Sequence, residues 1–314
     1  MSNKQRLIIL TVLAVAVAGL YLTIGLNARN WDYALSRRLP RILAIIITGA
    51  AISLSTAIFQ TITHNRILTP SVMGLDSLYM LWQTVIIFFS GSSSLLVRNV
   101  NLNFIVTVLL MVGFTLLVFK TIMRREAGNV FFLLLVGLII GTLFQSLSSF
   151  MQMIIDPNEF TILQGRMFAS FNSINLNILT IAVISCGVVF LLSWRYFSVL
   201  DVLALGRDQA VNLGVAYDQL VWRLLVMVVI LVSTATALVG PLTFLGLLVV
   251  NLAWQLLAAY RHRTIILGAF LLSIITLVGG QLFVEHILNF AVPISTLINL
   301  CGGIYFIRLL VKEK

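Results

Sequence analysis

Predominantly apolar stretches about 20 residues long recur along this chain, for example Leu7 to Leu26 and Leu220 to Val239. Each matches the roughly 20 residues a helix needs to cross the hydrocarbon of a bilayer. A membrane barrel would instead alternate apolar and polar residues over strands of roughly 10 residues. The composition agrees with helices in lipid. The chain is 60% hydrophobic and 10% charged, whereas soluble domains carry about 25% charge. A soluble protein of this size still needs a charged surface, so lipid is the solvent that permits this balance. The expected fold is all-α and polytopic, one membrane domain over residues 1–314. Ten spans are expected near 5–26, 41–62, 71–89, 103–123, 130–154, 174–194, 217–238, 242–258, 264–284 and 292–311. The third carries Asp76 and Gln83, and the eighth is short and follows Gly240-Pro241, a strong helix breaker.

The net charge of +10 would point to nucleic acid in a soluble protein. Here the basic residues sit in short loops, where membrane orientation accounts for them. With the N-terminus inside, fourteen of the twenty Lys and Arg residues fall on the inner side and six on the outer. Both termini are therefore expected in the cytoplasm. Lys4 and Arg6 before an apolar run resemble a leader, but the run is too long for a cleaved one and further spans follow. Cys186 and Cys301 both lie in apolar segments and read as small apolar fillers. His64, His262 and His286 are scattered near span ends, so no metal site is expected.

Two non-spanning segments stand out. On the outer side Arg37, Arg38 and Arg41 cluster around Pro40, at the expected start of the second span, where proline suits the first helical turn. They read either as interfacial anchors that snorkel to headgroups or as a docking patch for an acidic partner. On the inner side, residues 200–215 are too short and mixed to span. Leu203, Ala210 and Leu213 are roughly helix-spaced, and Gly206 and Gly214 punctuate the segment. One or two short amphipathic helices are expected there, either a plain interfacial loop or a surface for a cytoplasmic partner.

Within span five, Gln145, Ser148, Ser149 and Gln152 share one helix face. Either they hydrogen-bond between helices or they line a wet pathway. No G-x-x-x-x-G-K-[ST] loop for ATP, and no H-E-x-x-H, C-x-x-C or G-x-S-x-G motif, occurs. An enzyme is not expected. Ionisable groups are nearly absent from span centres, Asp76 and Glu285 being placed near span ends. That argues against a proton-driven carrier, which keeps such groups for function.

Several motifs together resemble the permease subunits of bacterial ATP-binding-cassette importers for iron–siderophore complexes, haem and cobalamin. Arg38-Leu39-Pro40-Arg41 is followed by Gly49-Ala50-Ala51, Gln60, Asn65, Pro70 and Gly74 at the family's spacing. Leu205-Gly206, Ala210 and Leu213-Gly214-Val215 resemble the loop that engages the ATPase, and Gly240 to Gly246 resembles the segment before the eighth helix. The resemblance implies the type II importer fold, with ten helices per permease, two permeases and two ATPase subunits. A periplasmic or lipid-anchored binding protein would deliver the substrate. ATP and magnesium would be bound by the ATPase partners, and no cofactor by this chain. Arg38 and Arg41, with Arg37 beside them, would then dock the binding protein. Leu203, Leu205, Gly206, Asp208, Ala210, Leu213 and Gly214 would couple to the ATPase. Gln145, Ser148, Ser149 and Gln152 would line the pathway, which is expected to be polar and free of buried acids.

The chain departs from the family pattern at several places. Val250-Asn251 stands for Pro-His, Gly280 and Val284 for an Asp and an Arg, and Asn65-Arg66-Ile67 for Asn-Pro-Leu. Gly302-Gly303-Ile304-Tyr305-Phe306 replaces a Gly-x-Pro-x-Phe pattern. These departures resemble the subgroup whose permease is a pair of different chains, which implies a heterodimer and a ferric siderophore, catecholate types favoured. The contrasting readings are an ion-coupled transporter working without an ATPase and a non-transporting scaffold.

Overall fold

The computed structural model describes residues 2–24, 31–125 and 130–312. Arg29 and Lys314, both counted in the charge balance, lie outside the described residues. Within them the chain forms α-helices and one short 3-10 helix, with no strand. The helices are α1 (Asn3–Thr23), α2 (Trp31–Thr63), α3 (Leu75–Ser90), α4 (Leu95–Arg98), α5 (Val100–Arg125), α6 (Val130–Ile154) and α7 (Pro157–Met167), followed by α8 (Leu176–Trp194), α9 (Phe197–Leu203), α10 (Arg207–Asn212), α11 (Tyr217–Val239), α12 (Leu245–Leu257), α13 (His262–His286) and α14 (Ile294–Lys312). The 3-10 helix covers Pro70–Met73.

Seven helices, α1, α2, α5, α6, α8, α11 and α13, are long and apolar enough to cross a bilayer. Three shorter apolar helices, α3, α12 and α14, complete the ten expected spans. The helices α2 and α11 are the most buried and form the centre of the bundle, with α13 and α12 packed on α2 and α5 and α8 flanking α11. Helix α1 lies outside α13 and is mostly exposed, as a lipid-facing helix is. Buried hydroxyls such as Ser53 and Thr61 donate to the Ala50 and Ala57 carbonyls of their own helix at 3.1 and 2.8 Å. This satisfies them where no water is available.

Two elements depart from the sequence expectation. Helix α2 begins at Trp31, not near residue 41, so Pro40 stands inside it. At 33 residues and about 1.5 Å per residue, α2 is about 50 Å long, well beyond the roughly 30 Å hydrocarbon layer. Its first turns carry the arginine cluster, with Arg38 and Arg41 held against neighbouring segments. The third span is divided. The chain makes the 3-10 turn, breaks at Gly74 (φ 78°) and only then starts α3. A Cβ at Gly74 would lie 2.9 Å from the Gly141 Cα, and one at Gly137 would lie 2.9 Å from the Met73 Cα. Only glycine admits that backbone contact. Gly141 is near the middle of α6, so α3 starts at mid-depth rather than at a surface. Similarly, α12 starts only after Gly240-Pro241 and reaches one side in 13 residues.

Candidate functional site

The start of α3, the segment before α12, the polar face of α6 and one side of α14 enclose a cavity of about 650 Å³. All four polar residues singled out in span five line it. Gln145 and Ser149 are exposed, whereas Ser148 is buried. The Ser148 and Thr84 hydroxyls lie 2.8 Å apart, and Gln152 Nε2 donates to both, at 2.8 Å and 3.2 Å. Interhelical hydrogen bonding and a place on a cavity wall therefore occur together on this face. Ser148 and Gln152 tie α6 to α3, and the whole face forms a cavity wall.

The sequence reading missed the rest of that wall. Thr243, Ser295 and Asn299 contribute to it, and so does Asp76. Asp76 was expected near a span end. It does lie in the first turn of α3, but because that turn packs at mid-depth the carboxylate sits inside the bundle. Thr236 Oγ1 and Thr243 Oγ1 donate to its two oxygens at 3.4 and 3.2 Å. The expectation of a pathway without buried acids is thereby corrected. Glu285, the other acid considered, is near the end of α13 and faces Arg41 at 3.9 Å. Gln83, which weakened the third span as a sequence pattern, is used internally. It accepts from Arg166 Nη1 at 2.6 Å and donates to Asn103 and Thr107 at 3.2 Å. Burial lowers the Arg166 pKa from its ordinary value, and the Gln83 and Val97 carbonyl oxygens compensate the buried charge.

At the end of the bundle away from the N-terminus, the three arginines differ. Arg37 is exposed. Arg38 donates to the Leu22 and Ile24 carbonyls at 3.0 and 2.7 Å and lies over the Tyr21 ring. It thus caps the C-terminal end of α1, where a cation is favoured. Arg41 donates to the Asn172 carbonyl at 3.0 Å.

At the opposite end, residues 197–215 form the two short helices α9 and α10, with Gly206 (φ 105°) and Gly214 (φ 85°) in conformations that suit glycine. The segment has two faces. Leu200, Leu203 and Ala210 are fully buried against the body, while Leu205 (56% exposed), Val211 and Leu213 (64%) point away from it. Asp208 and Gly214 are also on the exposed side, and Gly206 is half-buried at the turn. Asp201 anchors the pair. Its Oδ1 accepts from the His262 backbone N–H at 2.7 Å and lies 2.6 Å from His262 Nδ1. The other ring nitrogen is 2.8 Å from Thr61 Oγ1. One buried histidine thus joins α9 to α13 and α2. Beside it, two departures from the family pattern prove to be neighbours. Asn251 donates to the Arg66 carbonyl at 2.9 Å, and the Arg66 guanidinium stacks 4.5 Å from the Trp254 ring centroid.

A bundle of seven long and three shorter apolar helices around a cavity with a polar wall, with a helical pair exposed at one end and arginines at the other, has the build of a membrane transport permease. The chain belongs to the FecCD transport family, which matches residues 6–312. It is 54% identical over 314 residues, all of this chain and 99% of the relative, to the petrobactin import system permease protein YclO of Bacillus subtilis. It is 23% identical over 326 residues, 99% of each chain, to the petrobactin import system permease protein YclN of the same bacterium. Among solved structures it matches a metal-chelate type ABC transporter in an inward-facing conformation, with a TM-score of 0.85 and 26% identity over 99% of this chain and 100% of that one. The family resemblance drawn from the Arg38-to-Gly74 and Leu205-to-Val215 motifs is therefore correct.

Proposed function

We propose that this chain is a permease subunit of an ATP-binding-cassette importer that moves a ferric siderophore of catecholate type into the cytoplasm. The observation that carries the proposal is the cavity, which is polar along α6 and α14 and large enough for part of a bulky chelate. Kinship with YclO, named for petrobactin import, supports a siderophore as cargo. ATP and magnesium belong to two ATPase subunits, and this chain acts as one membrane domain in the bacterial plasma (inner) membrane, both termini cytoplasmic. The test is reconstitution into vesicles with a second permease, the ATPase and the binding protein. Uptake of ferric siderophore should require ATP. Uptake driven by an ion gradient without ATPase would replace this reading with ion-coupled transport, for which the mid-depth Asp76 would be the first candidate residue.

The second permease is proposed to be a different chain. Gln145 and Ser149 are exposed on α6 among Leu138, Leu143, Phe150 and Met153, and polar groups left facing lipid are costly. A partner subunit across that face would enclose them in the pathway. The petrobactin import system of Bacillus subtilis has two permeases, YclO and YclN, and this chain is far closer to the first, which favours an unlike partner.

Arg37, Arg38 and Arg41 are proposed to dock acidic residues of the binding protein. Arg38 and Arg41 also hold their own bundle together, so the melting temperature of each variant is read beside docking. Arg37→Glu combined with Arg38→Glu should weaken docking of the binding protein about tenfold and flatten its salt dependence. Docking measured by surface-immobilised transporter that is indifferent to both changes would remove the arginines from the interface. The α9–α10 pair is proposed to seat in the ATPase, through Leu205, Gly206, Asp208, Leu213 and Gly214 on its outward side, with Leu203 and Ala210 as its anchors.

A further inference from the structure

We propose that Asp76 recognises a positively charged amine on the transported complex and makes the permease selective for siderophores that carry one. The inference deepens the reading of the cavity as the import pathway and rests on it. Asp76 is the one ionisable group among the described residues that line the cavity. No Lys, Arg or His faces it there, although the chain has 20 Lys and Arg residues. Three hydroxyls, those of Ser71, Thr236 and Thr243, reach its carboxylate, and with about four lone-pair sites it still has room for one more donor. A second acceptor in the same cavity, the buried Asn299 Oδ1, has no donor.

A carboxylate at mid-depth is costly unless it is paired. None of the described residues that line the cavity supplies a cation for it, which leaves a cationic group on the ligand as its complementary partner. A protonated amine carries positive charge and donates several hydrogen bonds, so it meets what Asp76 lacks. The anionic iron-chelating part of the complex would be held away from Asp76, towards the neutral Gln145, Ser149 and Gln152. The carboxylate would thus orient the cargo as well as select it.

The test uses the complete transporter with its ATPase and binding protein in vesicles. The probes are a ferric catecholate siderophore with a secondary amine in its backbone and the same compound N-acetylated at that amine. The readout is the ratio of their ATP-driven uptake rates. Using one binding protein throughout cancels that protein's own preference from the comparison of variants. The wild type should favour the amine complex, and Asp76→Asn should lower that ratio about tenfold. Asp76→Glu should keep most of the preference. The elution profile and melting temperature of each variant complex, read beside uptake, should match the wild type, which excludes misfolding. An equal loss of both substrates, an unchanged ratio, or a loss in both that tracks external sodium would each overturn the inference, assigning Asp76 respectively to structure, to no selective role, or to a metal cation. A wild type that takes up neither complex with ATP would overturn the functional reading itself, an outcome separate from these.

Discussion

Gly141→Leu should leave almost no folded permease. The side chain would have to enter the space where α6 meets the break before α3. A Cβ there would lie 2.9 Å from the Gly74 Cα, with the Gly74 nitrogen next at 3.6 Å. The obstacle is backbone, so no rotamer change relieves it. Added methylenes in a packed core cost about 1–3 kcal/mol even when side chains can give way, and here α3 itself must move. Its displacement would also separate the Ser148 and Thr84 hydroxyls and pull Asp76 from Thr243, breaking the cavity wall with the fold. The expected result is loss of the monodisperse species in detergent, or a melting temperature lowered by roughly 5 °C or more, the scale set by a change of about 3 kcal/mol in a chain of this size. Gly187→Leu is the control, because nothing lies within 4 Å of its Cβ position. A Gly141→Leu protein that melts with the wild type would show that the close approach of α3 and α6 is unimportant.

The same contact explains what the sequence could and could not reveal. Length and hydropathy are local properties, so the ten apolar segments were legible, including the short third and eighth. Depth is not local. Asp76 is the second residue of α3, and a helix start ordinarily means a surface. Only the glycine contact between residues 74 and 141 shows that this start is buried. The polar stripe on α6 was legible as one face because 3.6-residue periodicity fixes it. Its partner Thr84 is on another helix, so whether the stripe bonded or lined a cavity could not be read. Pro40 misled for a different reason. Proline favours a first turn, but α2 starts nine residues before Pro40 and continues through it. The two short helices α9 and α10 were legible because Gly206 and Gly214 mark their turns, whereas the Asp201–His262–Thr61 link joins three distant segments and left no pattern.

Leu205→Glu combined with Leu213→Glu should abolish transport while leaving the permease folded. Both leucines are more than half exposed at the end of the bundle proposed to meet the ATPase, so their loss removes little internal packing. A carboxylate pressed into an apolar groove is strongly penalised unless it finds a cationic partner. Uptake and stimulated ATP hydrolysis should therefore both fall more than tenfold, with the melting temperature held. His262→Ala tests the other half of the linkage. It removes the side chain that joins Asp201 on α9 to Thr61 on α2, but it leaves the exposed leucines in place. The ATPase should still engage and hydrolyse ATP, while uptake falls, because motion of α9 no longer reaches α2 and α13 through that ring. The pair of results separates contact with the motor from transmission of its movement. Full uptake in the double leucine variant would place the ATPase elsewhere on the permease, and loss of hydrolysis together with uptake in His262→Ala would make the histidine part of the docking surface rather than a link behind it.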